Sequence, residues 1–383
     1  MQPVLNFAAL TASLKAMGRR WRVAVVCGTD RATLEALMRG TAEGFIEPWL
    51  FIPENFNLKN LPGEVRSNSL FHIIPADSDE AAARAAVAMA KRGEADLLMK
   101  GLIHTDTLLR AVLNKEEGIL PRGRLLTHIA AAELPGYPRL LFFSDAAVIP
   151  YPTHEQRVQQ VAYMIETCHA FGIEEPRIAL IHCAETASEK FPHTMGYAEI
   201  ADRAARGEWG RAIVSGPLDF RTSCDAAALA TKGISSPIAG SADGLILPDI
   251  EAGNLLYKVL PLFAGAKMAG MLKGPQCPVV LSSRADDAET KYRSLCVGII
   301  NKSGRSAERP PPRRAAYALP NKYTSHFIYD HSRNQSRLHL HQSIRLRRRR
   351  ADTRALHSPF GGRARAILQN HTTVRLPPPL GGR

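Results

Sequence analysis

The sequence predicts an α/β protein with a mostly parallel sheet and helices on both faces. Two observations carry this. Short apolar runs rich in β-branched residues alternate with longer helical patterns along the first 300 residues. Small, polar or charged residues follow those runs, where the strands of an open α/β sheet present their carboxyl ends.

The elements follow in order. Phe7 to Met17 reads as a short amphipathic helix, and Arg22 to Cys27 as a strand. Asp30 can cap a helix over Arg31–Met38. Trp49–Ile52 and Phe71–Ile74 are the next strands. Ser78 caps an alanine-rich helix, Asp79–Arg92, which Gly93 closes. Leu97–Met99 is a strand ending in Lys100-Gly101, and Thr107–Leu113 is helical. Glycines and prolines then interrupt the pattern over residues 114–138, where a domain crossing is expected. Strands follow at Leu140–Phe143, Arg177–His182, Ala212–Val214 and Leu245–Leu247. Between them lie helices at Glu155–Phe171 and Tyr197–Arg206, with a third after them at Asn254–Ala264. A strand at 279–281 and a helix over Ala288–Val297 end the series.

Charge is unevenly distributed. The net charge is +13, yet residues 301–383 hold 18 Lys and Arg against 3 acidic residues, which leaves residues 1–300 at −2. That last segment is rich in Arg, Pro, His and Ser and has no hydrophobic periodicity, so disorder is expected there. An arginine-rich arm could attract phosphate backbones, but a charge run without a fold favours an extension with no selected role. The chain cut after about residue 305 is expected to fold and keep its activity. Precipitation of the cut protein while the full chain stays soluble and active would refute this.

Six scattered cysteines, none spaced CxxC, indicate reduced thiols rather than disulfides or a zinc site. No secretory signal or membrane-length apolar run is visible, so a cytoplasmic protein is expected. Phosphate-loop, dinucleotide-fingerprint, zincin and serine-hydrolase motifs are missing as well.

The stretch Pro278 to Lys291 is where chemistry is expected. A buried strand there delivers Ser282, Ser283 and Arg284 at its end. A planar, permanently charged guanidinium beside two hydroxyls suits phosphate or acyl-phosphate oxygens. An N-cap serine followed by a surface arginine is the plainer reading of the same residues. Other strand ends carry Lys100 and Gly101, Ser144 and Asp145, His182 and Glu185, and Ser215 and Gly216. Two halves presenting such ends to one another would form a cleft for a small molecule.

Several segments, in this order, resemble the phosphate acetyltransferase/phosphate butyryltransferase family. They are Ala95 to Arg110, Ser144-Asp-Ala-Ala147, Ser215-Gly-Pro-Leu-Asp219, Gly240-Ser-Ala-Asp243, Pro248 to Asn254 and Ser283-Arg-Ala-Asp286. The likeness spans about residues 5–300. It implies reversible transfer of a short acyl group, acetyl or butyryl, between coenzyme A and inorganic phosphate. Coenzyme A is then a substrate, with no bound cofactor and no metal. It also implies two three-layer α/β/α domains with an interdomain cleft, in the manner of isocitrate and isopropylmalate dehydrogenases. Domain one would comprise 1–125 and 278–300, domain two 126–277, with 301–383 a basic tail. A homodimer or larger assembly is implied.

By the same resemblance, Arg284 and Ser283 contact phosphate and carbonyl. Lys100, Gly101, His104 and Thr105 form a second loop of the site, with Ser144, Gly216 and Pro217 beside it. The acetyl-type members carry an aspartate as thiol base where this chain has Thr290. Asp286, Asp287 and Glu289 are nearby carboxylates, of which Asp286 is assigned the catalytic place. The Asp286–Lys291 run resembles the butyryl-type branch. A same-fold metal- and NAD-dependent dehydrogenase is the alternative, and it lacks the local aspartate cluster such a metal needs. Nucleic-acid binding through the tail is the second alternative, which the body's charge disfavours.

Overall fold

A computed structural model describes residues 2–281 and 286–306. Strand β1 (Trp21–Val26) follows helix α1 (Phe7–Ala16), and leads into α2 (Arg31–Ala42). The Asp30 carboxylate caps α2 by accepting from the Thr33 amide at 3.0 Å. Next come β2 (Ile46–Pro53), the short α3 (Gly63–Ser67) and β3 (His72–Ala76). Then follow α4 (Asp79–Lys91), β4 (Leu97–Lys100) and α5 (Thr105–Val112). Ser78 caps α4 through the Ala81 amide, and Gly93 ends it at φ +73°, a conformation only glycine adopts cheaply.

The second run is β5 (Thr127–Glu133), β6 (Leu141–Ser144), α6 (His154–Ala170), β7 (Arg177–Ile181) and α7 (Tyr197–Ala205). It continues with β8 (Ile213–Leu218), α8 (Phe220–Cys224), α9 (Ala226–Lys232), β9 (Gly244–Ile246) and α10 (Ile250–Ala264). The chain returns through β10 (Lys267–Lys273) and β11 (Val279–Val280) to α11 (Ala288–Ser306).

All the strands form one sheet in the order β3-β2-β1-β4-β11-β10-β5-β6-β9-β7-β8. The first five strands in this order are mutually parallel, and so are the last four. Between them lie three antiparallel pairings: β11 with β10, β10 with β5, and β5 with β6. An odd number of reversals turns the second parallel set over. Carboxyl ends of the two sets therefore leave opposite edges of the sheet. Lys100-Gly101 exits one edge and Ser144-Asp145 the other, whereas the sequence reading had such ends facing one another.

Two joining strands escaped the sequence pattern. β5 lies inside the stretch read as a domain crossing, and β10 was not foreseen. Thr-His-Ile-Ala-Ala-Ala-Glu and Lys-Met-Ala-Gly-Met-Leu-Lys are poor in β-branched residues. Both are nevertheless buried through almost their whole length, because each has a strand on both sides and packing overrides propensity. Elsewhere the predicted elements match within a few residues; β8 runs on through Ser215, Gly216 and Pro217, and α11 continues to Ser306.

The core is asymmetric. One face carries a continuous apolar layer from Leu10 and Trp21 through Ile129 and Phe142 to Ile178, covered by α1, α2, α6, α7 and α11. The other face carries two separate layers. Val26, Leu98, Leu272 and Val279 lie with residues of α4 and α5, such as Ala86 and Leu108. Ala130, Ala132, Phe143, Leu245 and Met268 lie with Leu260 of α10. Helix α11 is tied to α2 by the buried Lys291, whose Nζ lies 2.9 Å from Asp30 Oδ1 and 2.8 Å from Thr33 Oγ1. No helix among the described residues is long and apolar enough to cross a membrane.

Candidate active site

β11 is inserted beside β4, with Val280 opposite Met99. The chain at Leu281 therefore arrives alongside Lys100, at the edge where β1 and β4 end. Ser283 and Arg284, four residues or fewer beyond Val280, lie outside the described residues.

Lys100 is 3 % exposed, and its ammonium donates to the Gly101 carbonyl at 3.2 Å. A cation at the end of a buried strand is where an anionic ligand would be drawn. Gly101 is required by close approach: a Cβ there would stand 2.3 Å from the Cys27 carbonyl oxygen. The exposed His104 occupies the N-cap of α5 and Thr105 opens the helix, without a side-chain cap bond. Beside this loop, burial and then the charge of Asp79 push the Cys27 thiol up to about 12. It stays protonated, so it does not serve as a nucleophilic thiolate.

The three carboxylates after Arg284 separate by role. Asp287 accepts from the Thr290 amide at 2.7 Å, a cap contact at the head of α11. Glu289 is engaged with Arg39 at 2.5 Å and Arg293 at 3.4 Å. Asp286 is half-buried, and its charge bears on Tyr257 of α10, whose phenol is pushed above its usual value by burial first and by Asp286 second.

Ser144, Gly216 and Pro217 belong to strands of the second parallel set, which run opposite to β4. Ser144 is wholly buried, its hydroxyl 3.1 Å from that of Thr127. The adjoining Asp145 is a structural carboxylate. It accepts from Thr127 Oγ1 at 2.7 Å and from the amides of His128, Ala147 and Val148 at 2.8–3.1 Å. Gly216 and Pro217 lie within β8, at the far end of the strand order. Seven strand spacings separate β8 from β4, roughly 30 Å along the sheet. At the carboxyl ends of β7 and β8, Lys232 joins Glu185 at 2.7 Å and Asp219 at 2.6 Å. Burial opposes ionisation of Asp219, but Lys232 and Thr222 hold its carboxyl down at about 2. His128 and Tyr257, whose rings meet edge-on, were not singled out from the sequence.

A buried lysine at the carboxyl end of a parallel strand in an α/β sheet is the class of arrangement that draws an anionic ligand. Residues 72–298 match the profile of the phosphate acetyl/butaryl transferase family. A phosphate acetyltransferase of Thermotoga maritima is 37% identical over 285 residues, 74% of this chain and 96% of that protein. A phosphate butyryltransferase of Clostridium beijerinckii is 34% identical over 296 residues, covering 77% of this chain and 97% of that one. Among solved structures, a branched-chain phosphotransacylase from Enterococcus faecalis superposes with a TM-score of 0.66 at 31% identity, over 74% of this chain and 99% of that chain. The chain belongs to the phosphate acetyl/butyryl transferase family and is an acyltransferase.

Proposed function

We propose that this chain transfers a short acyl group reversibly between coenzyme A and inorganic phosphate, using Lys100, Gly101, His104 and Thr105 together with Ser283, Arg284 and Asp286. The observation that carries the siting is the insertion of β11 against β4, which starts the Ser283-Arg284 segment beside the Lys100 loop. In the direction of acyl-CoA synthesis, Asp286 takes the proton from the coenzyme A thiol. The thiolate attacks the acyl-phosphate carbonyl, and the C–O bond to phosphate breaks. Phosphate leaves with the electron pair, toward the charge of Arg284 and Lys100. No acyl-enzyme is formed on this route.

The two helix layers on one face of the sheet support a cleft between a first body, 1–125 with 278–300, and a second, 126–277. Ser144, Gly216 and Pro217 then support the second body rather than touch the reacting groups. A homo-oligomer is proposed, with α10 at its contact. That helix leaves Leu255, Leu262 and Phe263 64–79 % exposed, more apolar surface than an isolated helix face usually shows. A cytoplasmic location fits the acyl-CoA substrate.

Release of free coenzyme A from acetyl-, propionyl- and butyryl-CoA should depend on added phosphate. Butyryl-CoA is expected to serve at least as well as acetyl-CoA, because Thr290 stands where acetyl-type members carry aspartate. A preference for acetyl-CoA of about a hundredfold, the discrimination a pocket can supply, would reject the butyryl-type assignment.

A further inference from the structure

On the face with two helix layers, β10 presents Leu272, Gly270 and Met268, and β5 presents His128, Ala130 and Ala132. Leu272 belongs to the layer of α4 and α5; Met268, Ala130 and Ala132 belong to that of α10. Gly270 and His128 lie between the two. A Cβ on Gly270 would sit 2.6 Å from His128 Nε2, so the imidazole lies against the β10 backbone only because residue 270 is glycine.

His128 is 4 % exposed, and among the described residues its Nδ1 has no hydrogen-bond partner. Burial holds this imidazole neutral, against the pull of Asp145. A buried nitrogen left unpaired is costly unless a ligand atom supplies the partner. Tyr257 of α10 meets the His128 ring edge-on, with centroids 5.8 Å apart and planes at 77°. The Phe143 ring lies 6.4 Å from Tyr257 on another side. The Tyr257 side chain is partly exposed, and its phenol lies near enough to Asp286 for that charge to act on it. An unpaired buried imidazole nitrogen and a phenol thus lie together where the two helix layers meet.

We propose that His128 and Tyr257 form an acyl-thioester subsite, in which the Tyr257 hydroxyl and His128 Nδ1 hydrogen-bond the polar atoms of acyl-CoA beside the thioester, opposite Asp286. This rests on the acyl-transfer reading and deepens it. The chemistry favours the thioester over phosphate. A neutral imidazole and a phenol supply no positive charge, and the nearby Asp286 repels an anion. Aromatic walls suit a short acyl chain. In the proposed reaction, phosphate is left to the edge that carries Lys100.

Tyr257→Phe removes one hydroxyl and keeps the ring. With butyryl-CoA and phosphate, this variant is expected to lose at least tenfold in kcat/KM for the acyl-CoA. Its KM for phosphate should stay within twofold of wild type, and its melting temperature should be unchanged. His128→Gln should show the same split; because that side chain is buried, a misfolded His128 variant leaves the decision to Tyr257→Phe. Wild-type kcat/KM in Tyr257→Phe overturns the subsite, as does an equal loss for both substrates. If the wild-type protein turns over none of the three acyl-CoAs, the acyl-transfer reading fails. The subsite is then decided by stabilisation against heat by butyryl-CoA alone. Stabilisation weaker in Tyr257→Phe than in wild type upholds it; stabilisation equal in the two, or absent from both, overturns it.

Discussion

Arg284→Ala is expected to lower turnover roughly a hundredfold or more. A charge-assisted, bidentate contact to transferring phosphate contributes on the order of 2–4 kcal/mol when it acts on transition-state charge. The usual conversion of free energy to rate turns that into the stated loss. Arg284→Lys should rescue poorly, since an ammonium cannot reproduce the planar fork. The melting temperature should hardly move, because a ligand-facing arginine is not part of the core. Steady-state kinetics with phosphate as the varied substrate checks this. Near-normal turnover and phosphate affinity in the alanine variant would make Arg284 a surface residue and move the site. Unfolding of the variant would instead favour the plain capping reading of this stretch.

Asp145→Ala is expected to be the most destabilising single change at the junction of the two strand sets. Its carboxylate is 1 % exposed and accepts from Thr127 Oγ1 and from the amides of His128, Ala147 and Val148. Removing it leaves buried donors unpaired, each costing about 1–3 kcal/mol where water cannot reach. A total loss of about 3–5 kcal/mol follows, since the structure relaxes in part. That corresponds to a drop in melting temperature on the order of 10 °C for a chain of this size. Asp145→Asn should fall between, because an amide retains one accepting oxygen. Melting followed by circular dichroism decides it. A drop of under about 2 °C in the alanine variant would show that the loop after β6 is held by other contacts.

Much of the fold was legible where local rules and global packing agree. Ser78 and Asp30 announced their helices because a side-chain oxygen that satisfies the first free amides is a local matter. Strands β1, β4 and β7 announced themselves as apolar runs, since a parallel strand buried on both faces has no alternation to hide in. The family segments around Lys100 and Ser283-Arg284 were likewise readable, and the family profile that matches residues 72–298 spans both.

Other features depended on partners distant in sequence. Nothing local in Thr127 to Glu133 or Lys267 to Lys273 demands a strand; each becomes one because the other lies beside it, with a further strand on the outer side. The division of labour among Asp286, Asp287 and Glu289 was open in the sequence. For Glu289 it was settled by Arg39, some 250 residues away, which engages that carboxylate. The sequence by itself determined the fold class and the family, because these are written in short segments whose meaning is local. Only the tertiary structure decided the opposed directions of the two strand sets, the structural duty of Ser144 and Asp145, and the meeting of His128 with Tyr257. Each of these depends on which strand lies next to which, and strand adjacency is set by burial summed over the whole sheet rather than by any one segment.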